Sequence, residues 1–223
     1  MKNIMFDLYG TLIDIKTDEE SLIFWKGLAK KWRKYHSYTP IELKNQYKKI
    51  CFHLNQKKEE INLLDAFGEL LHVDDNLANK FAKDFRRYST TYLRLYSGVK
   101  AMLKNLKKKG YGLYVLSNAQ ASFTMPELKK LKILKYFTGV AISSEYEIKK
   151  PNENFFLKAI EKFNLSISTV VMIGNDYECD MIPAKKLGIK TIFIQSNLTP
   201  KHDVKDYVLG FNKKEIINEI EKF

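Results

Sequence analysis

The sequence has little of what marks secreted or membrane proteins. It contains only two cysteines, Cys51 and Cys179, in 223 residues, which excludes a disulfide framework and favours free thiols. No segment approaches the roughly 18 consecutive apolar residues of a membrane span. The apolar run near the N-terminus is short and is interrupted by Asp7, unlike the core of a signal peptide. We therefore predict a cytoplasmic protein without a membrane partner.

Histidine-based metal sites, sequence repeats and low-complexity segments are also missing. The four histidines, at positions 36, 53, 72 and 202, show no metal-ligand spacing. What remains is an ordinary globular composition, in which 45% of the residues are hydrophobic. A chain of this length can bury a sizeable core.

The net charge of +12 is spread along the chain. Residues 16–95 contain 16 basic and 11 acidic residues, and the remainder contains 22 and 15. A diffuse positive field attracts small anions as well as it attracts a polynucleotide. We therefore expect a small anionic substrate and no nucleic-acid partner, and the pattern gives no indication of the oligomeric state.

Two kinds of sequence pattern divide the chain. Residues 1–15 and 95–223 alternate short apolar runs with helix-like segments, which is typical of an α/β fold with a parallel sheet. Residues 16–94 instead predict an all-helical insertion. Its helices start with a capping-box pattern at Thr17–Glu20, with Thr39-Pro40 and with Ile61, and the last runs from Leu77 to about Leu93.

Polar residues follow the apolar runs of the α/β part. Asp7 comes directly after the first run and precedes a turn at Gly10. Three later runs precede the polar segments Ser117-Asn118, Lys149-Lys150-Pro151 and Asn175 to Asp180. Because the carboxyl ends of parallel strands share one edge of a sheet, these residues are predicted to converge there.

These residues, in this order and spacing, resemble the four motifs of the haloacid dehalogenase-like (HAD) hydrolase superfamily. The resemblance rests on Asp7-Leu8-Tyr9-Gly10-Thr11, Ser117, Lys150-Pro151 and the segment from Asp176 to Asp180. It implies a Rossmann-like core of residues 1–15 and 95–223, flanked by helices. It also implies that residues 16–94 form a helical cap that closes over an active site.

The resemblance assigns Asp7 as the nucleophile, since a carboxylate can attack phosphorus or carbon and form an intermediate that water opens. Thr11 then steadies the nucleophile turn, with Tyr9 and Gly10 positioning the loop or substrate.

The other two single-residue motifs imply contacts to a negatively charged substrate. Ser117 and Asn118 would hold a substrate oxygen. Lys150 would offset the negative charge of nucleophile and substrate, with its neighbour Lys149 as the alternative for that role. Cys179 is interpreted as a packing residue.

The fourth motif implies a magnesium site, because clustered carboxylates in one cleft require a shared cation and Mg²⁺ prefers oxygen ligands. The expected ligands are Asp7, the backbone carbonyl of Tyr9 and Asp176, with Asn175 and Asp180 as possible ligands or supporting residues. Two alignments of the motif remain open: Asp176 and Asp180 form the acidic pair, or Asn175 occupies the first acidic position.

Tyr9 departs from the phosphatase pattern. Phosphatases of the resembled family have at this place a second aspartate, which protonates the leaving group, and a phenol is a poor acid near neutral pH. Three hypotheses therefore follow. The first is a Mg²⁺-dependent phosphatase acting on a small phosphorylated metabolite. The second is a metal-independent 2-haloacid dehalogenase, a class that carries tyrosine here. The third is a catalytically weak binding or regulatory protein.

Overall fold

The computed structural model describes residues 2–223. The strands are, in chain order, β1 (Asn3–Phe6), β2 (Ile13–Thr17), β3 (Thr90–Leu95), β4 (Gly112–Ser117), β5 (Gly139–Ile142), β6 (Val170–Gly174), β7 (Lys190–Gln195) and β8 (Val208–Leu209). The helices are α1 (Leu22–Trp32), α2 (Pro40–Asn55), α3 (Leu63–Leu71), α4 (Asp75–Ser89), α5 (Val99–Lys108), α6 (Ala121–Lys130), α7 (Glu153–Lys162), α8 (Ile182–Lys186) and α9 (Lys213–Glu221).

Six strands form a parallel sheet in the order β5-β4-β1-β6-β7-β8. Strand β1 lies at the centre, with Phe6 opposite Val115 of β4 on one side and Ile173 of β6 on the other. The chain order reverses across β1. In such sheets the crevice at the carboxyl ends of the strands beside this point is the usual ligand site.

Helices cover both faces of this sheet because side chains of successive strand residues point to opposite sides. Ile4 and Phe6 join the cluster formed with α5 and α9, and Met5 joins the one formed with α7 and α8. The predicted α/β, Rossmann-like architecture is therefore confirmed.

Helices α1 to α4 lie between β2 and β3 and form a separate helical unit. Its interior is an aromatic cluster that includes Trp25, Trp32, Phe67, Phe81 and Phe85. Trp25 and Trp32 thus pack inside the cap. Burial of these large rings stabilises the unit, since each aromatic side chain removes about 150–250 Å² from water. Phe123 of core helix α6 packs in the same cluster.

Local signals fix the helix ends in the cap. Thr39 and Glu42 form a reciprocal capping box at the start of α2, and Pro40 is its first residue. The prediction of a helix reaching about Leu93 is wrong at its end: α4 stops at Ser89, and residues 90–95 form a strand. Pairing with β2 provides the backbone hydrogen bonds there.

The antiparallel pair β2–β3 connects the cap to the core. Ile13 lies opposite Leu95, and Asp14 lies opposite Arg94 with 2.8 Å between their charged groups. Both cysteines are free thiols. Among residues 2–223, no helix is long and apolar enough to cross a membrane.

Candidate functional site

Asp7 stands at the carboxyl end of the central strand. Its backbone N–H still donates to Ile173 O at 2.8 Å, so the residue is fixed by the sheet while its side chain extends beyond it. Gly10 has a φ of +89°, and a Cβ there would lie 2.2 Å from the Asn175 side chain. Only glycine permits both this conformation and this approach. The turn of residues 7–13 is closed by Leu12 N–H donating to Leu8 O at 2.8 Å. We call it the nucleophile turn after the role predicted for Asp7.

A buried lysine joins two carboxylates at this edge. Lys150 Nζ lies 2.8 Å from Asp7 Oδ1 and 2.6 Å from Asp180 Oδ1, and it also donates to Leu116 O at 3.0 Å. Burial opposes its charge, but Asp180 and Asp7 raise the pKa of Lys150 above its usual value. The lysine therefore remains protonated.

Asp180 is the more deeply buried carboxylate of this group, with no exposed surface. Burial is the main influence and raises its pKa to about 7, against the opposing effect of Lys150. Asp180 Oδ2 accepts from the backbone N–H of Asp176 at 3.0 Å. A Cβ at Gly174 would lie 2.2 Å from the same oxygen, so glycine makes room for the carboxylate.

Lys149, the alternative for the motif lysine, faces away from this group. Its Nζ lies 3.5 Å from Glu60 of the cap, and 45% of its side chain is exposed. The geometry therefore assigns the buried position to Lys150. Asn118 holds that position: its side chain donates to Lys150 O at 2.7 Å and accepts from Lys150 N–H at 2.8 Å.

Thr11 and Asn175 contact the other oxygen of the Asp7 carboxylate. Thr11 Oγ1 lies 3.1 Å from Asp7 Oδ2. One terminal atom of the Asn175 amide lies 2.9 Å from Thr11 Oγ1, 3.1 Å from Asp7 Oδ2 and 3.1 Å from the backbone oxygen of Tyr9. With nitrogen at this place, the amide donates to both oxygens. With oxygen there, three oxygen atoms face one another and no proton lies between them, so without a cation the hydrogen bonding favours nitrogen.

The second orientation fits a magnesium ion. Mg²⁺ takes oxygen ligands in octahedral geometry at about 2.0–2.1 Å, so adjacent ligand oxygens lie about 3 Å apart. The Asn175 amide atom has this spacing to Asp7 Oδ2 and to the Tyr9 carbonyl oxygen. Among residues 2–223, no three His, Cys, Asp or Glu side chains are placed to hold a metal ion together.

Asp176 and Cys179 lie in the segment that follows β6. Asp176 Oδ1 accepts from Cys179 N–H at 2.9 Å, so Asp176 caps the π-helical turn at Tyr177–Met181. Its ligand role stays a prediction. Burial raises the pKa of Cys179 to about 12, which keeps the thiol protonated and agrees with a packing role.

Ser117 offers the free hydroxyl of the site. The residue is 1% exposed, and within the described part of the chain its Oγ has no hydrogen-bond partner. A buried polar atom without a partner is costly. A substrate oxygen in the adjoining cavity would satisfy it.

The cavity beside these groups has a volume of about 170 Å³. Besides the site residues, Leu198 and Pro200 line it, from the loop after β7. Among the residues described, none of its lining comes from the cap. Sequence patterns did not indicate Leu198 or Pro200, since they lie in a loop without a motif.

The Tyr9 hydroxyl contacts helix α6 and is already engaged in hydrogen bonds. The phenol donates to Glu127 Oε2 at 2.5 Å and lies 3.1 Å from Thr124 Oγ1, both on α6. Burial, and then the charge of Glu127, raises the pKa of Tyr9 well above its usual value. Glu127 in turn pairs with Arg86 of the cap at 2.7 Å. Sequence patterns gave no signal for these partners.

Comparisons with known proteins agree with this geometry. A family model described as haloacid dehalogenase-like hydrolase matches residues 4–194. Glyceraldehyde 3-phosphate phosphatase of Pyrococcus furiosus is 29% identical over 124 residues, which make up 53% of this chain and 52% of that protein. The match thus spans about half of that relative's length. Phosphoglycolate phosphatase of Agrobacterium fabrum is 24% identical over 87% of this chain and 81% of that protein.

Two crystal structures show the same fold. A HAD phosphatase from Thermococcus onnurineus has a TM-score of 0.68 and 21% identity, covering 99% of this chain and 98% of that one. A 2-haloacid dehalogenase from Pseudomonas syringae has a TM-score of 0.69 and 18% identity, covering 100% and 99%. Since both chemistries occur among these neighbours, the fold alone does not distinguish them.

Proposed function

The chain belongs to the haloacid dehalogenase-like hydrolase family, and from this premise we propose that it is a phosphatase of small phosphorylated metabolites. The observation that supports this most is the group around the cavity of about 170 Å³, where Asp7, the buried Lys150 and the unpartnered Ser117 hydroxyl meet. Asp7 can attack the phosphorus, Lys150 can offset the charge of the phosphoryl group, and Ser117 can donate a hydrogen bond to one of its oxygens.

In the proposed reaction, an oxygen of Asp7 attacks phosphorus and the bond from phosphorus to the leaving group breaks. The product is an aspartyl phosphate and a free leaving group. Water then attacks the phosphorus, the bond between phosphorus and the Asp7 oxygen breaks, and inorganic phosphate leaves, which restores the carboxylate. The proton that the water loses balances the proton that the leaving group takes up. Lys150 offsets the negative charge through both steps, and Thr11 holds the Asp7 carboxylate in orientation.

Magnesium is part of the proposal because the oxygen set fits it. Asp7, the Tyr9 carbonyl and Asn175 would hold the ion, with Asp176 as the further candidate ligand. When bound, Mg²⁺ supplies positive charge that draws electrons from the phosphoryl oxygens. The net charge of +12 favours the approach of an anionic substrate.

A metal-independent 2-haloacid dehalogenase is the second candidate. The specific observation in its favour is the other orientation of Asn175, in which the amide nitrogen donates to Asp7 and to the Tyr9 carbonyl. The site is then complete without a cation. Tyr9 also suits this reaction, because a departing halide takes no proton. A catalytically weak binding protein is the third candidate.

The test is a substrate panel of acyl, aryl and alkyl phosphates and 2-haloacids, each with and without Mg²⁺. We expect Mg²⁺-dependent phosphate release. Asp7→Asn should fold normally and lose at least about 10³-fold in rate, because an amide cannot attack. Asp65→Asn, a change at an exposed carboxylate of α3, is the matched control and should retain the rate.

Metal binding is measured separately by thermal unfolding. Mg²⁺ should raise the melting temperature, because a ligand that binds only the folded state stabilises it. Asn175→Asp should enlarge this shift by adding a charged ligand. No response to millimolar Mg²⁺, together with chloride release from a 2-haloacid, would establish the dehalogenase instead. Hydrolysis of neither class would favour the binding protein.

A further inference from the structure

A chain of three buried polar groups connects the cap to the nucleophile turn. Arg86 lies on cap helix α4, Glu127 on core helix α6, and Tyr9 in the nucleophile turn. Arg86 Nε donates to Glu127 Oε1 at 2.7 Å, and the Tyr9 hydroxyl donates to Glu127 Oε2 at 2.5 Å. Arg86 Nη2 also donates to Glu127 Oε2, at 3.4 Å. The carboxylate therefore joins the cap arginine to the phenol of the turn.

The surroundings fix this arrangement. The Tyr9 hydroxyl has a single proton, and it uses this proton to donate a hydrogen bond to Glu127. Thr124 Oγ1, at 3.1 Å, therefore donates to the phenol oxygen. The Arg86 guanidinium lies over the rings of Tyr9 and Phe123, 5.5 and 5.1 Å from their centroids. The side chains of Arg86 and Glu127 are only 18% and 8% exposed.

Burial of such an ion pair is poorly explained by stability alone. Removing two charges from water costs about as much as their attraction returns, and apolar residues of similar volume often stabilise a protein equally well. What the pair provides is direction. The planar guanidinium orients the carboxylate through two of its nitrogens, Nε and Nη2, and the carboxylate orients the phenol.

Tyr9 transmits this orientation to the reacting groups. Its own backbone oxygen lies 3.1 Å from the Asn175 amide, which also lies 3.1 Å from Asp7 Oδ2. The phenol is thus anchored on one side, and the backbone of the same residue borders the carboxylate on the other. Movement of α4 away from α6 would release Glu127 and leave the phenol with a less oriented acceptor.

We propose that Arg86, Glu127 and Tyr9 form a positioning triad that makes the geometry of the nucleophile turn dependent on the seating of the cap on the core. Arg86 and Glu127 are positioning residues that act through Tyr9 and do not line the reaction cavity. Their role in turnover rests on the proposed function, whereas their effect on the turn does not.

The first experiment measures amide hydrogen exchange in the turn, which requires no substrate. Gly10 N–H donates to Ile13 O at 2.8 Å and Ile13 N–H to Leu8 O at 2.9 Å, so both amides report on the turn. Glu127→Gln and Tyr9→Phe should each increase their exchange rates about 10-fold or more. Tyr9→Phe removes only the hydroxyl, so it serves if Glu127→Gln fails to fold.

The matched control is Lys31→Gln. Lys31 lies on α1 and pairs at 2.7 Å with Asp84, which lies on α4 as Arg86 does. Both members of this pair belong to the cap. This change should leave exchange in the turn unaltered. If the triad variants accelerate exchange only in α6, or if Lys31→Gln has the same effect on the turn, the triad is an ordinary structural contact and the proposal is wrong.

The second experiment uses a substrate that the panel identifies. Arg86→Lys, which keeps the charge but loses the planar fork, should lower kcat about 10–100-fold, since small misplacements of reacting groups have effects of this size. KM should not change, because Arg86 does not line the cavity.

The double variant Arg86→Lys with Tyr9→Phe tests whether the groups act as one unit. Its kcat should be no lower than that of the worse single variant, because the members of one hydrogen-bonded triad do not act independently. Multiplicative losses, or a change in KM alone, would overturn the triad. If the wild-type protein hydrolyses no substrate, the proposed function fails, while the exchange experiment still decides the triad.

Discussion

The core and the cap contribute in different ways. Among the residues described, all side chains that line the reaction cavity come from the core. The cap buries its large aromatic residues in one cluster, which Phe123 of core helix α6 joins by stacking on Phe85 of α4. Polar contacts also connect the cap to the core. One is the Arg86–Glu127 pair, and another is Gln120 of the core, which accepts from Leu63 N–H and donates to Ile61 O, both at 2.8 Å.

This difference separates two tasks that one fold must perform. Reacting groups need fixed positions, and strand ends of a buried parallel sheet provide them. Access of substrate and exclusion of water need a part that can move, and a helical unit with its own core can move as one body. A change in the core should therefore affect chemistry or core stability, and a change in the cap should act only through the junction.

The largest effect that would test this division is expected at Lys150. Lys150→Met leaves Asp7 and Asp180 without their cation, and breaking such a buried group costs about 3–5 kcal/mol. Hydrolysis should be lost as well. Denaturant unfolding and phosphate release are the two measurements.

Two further variants show whether charge is the cause. Adding Asp180→Asn to Lys150→Met should recover part of the stability but none of the activity, because one of the unpaired charges is removed. Lys149→Met, at the neighbouring lysine, should cost much less, about 1 kcal/mol, because the Lys149 side chain is 45% exposed and its partner Glu60 keeps its contact with Gln120. Equal losses at Lys149 and Lys150 would contradict the assignment of the buried cation.

Much of the core could be predicted from the sequence because its signals are local and repeated. Short apolar runs followed by polar residues predicted strands, and the parallel-sheet rule then predicted that Asp7, Ser117, Lys150 and Asp180 converge. The structure brings these residues to one edge. The choice between Asn175 and Asp176 could not be made, because it depends on how the turn after β6 orients two adjacent side chains.

The junction could not be predicted, since it depends on tertiary contacts between distant segments. Arg86 and Glu127 are 41 positions apart, and each resembles an ordinary charged residue on a helix. The strand at residues 90–95 was hidden because Leu93 continues the helical spacing, and its pairing with β2 overrides that preference. The phenol of Tyr9 could be identified as unusual, but its partner could not.

The next largest effect concerns the leaving group. The Tyr9 phenol is buried, its pKa is raised and its hydroxyl donates a hydrogen bond to Glu127, so it cannot protonate a departing oxygen. Acyl and aryl phosphates, which leave without a proton, should therefore react about 10²–10⁴-fold faster than alkyl phosphates, the usual value of acid assistance. A leaving-group series in Mg²⁺ measures this.

Tyr9→Asp adds a carboxyl group at the same place and is expected to raise the rate of alkyl phosphates selectively. It also removes the anchor to Glu127, so Tyr9→Phe is measured beside it to show the cost of that loss alone. A wild-type rate that does not depend on the leaving group would mean that another group in the core supplies the proton.

The smallest effect distinguishes which part of the molecule selects the substrate. Leu198 lines the cavity of about 170 Å³ from the loop after β7, which is part of the core. Leu198→Ala removes three carbon atoms from the cavity wall. It should raise kcat/KM for a bulkier phosphate ester about 10-fold relative to the smallest substrate, because a methylene group in an apolar pocket has effects of this order.

Leu209→Ala, at a residue that is 72% exposed and outside the cavity lining, is the control and should not change the ratio. If Leu198→Ala also has no effect, while Ile61→Ala at the edge of the cap changes the preference, then selection belongs to the cap and the division between the two parts is incomplete.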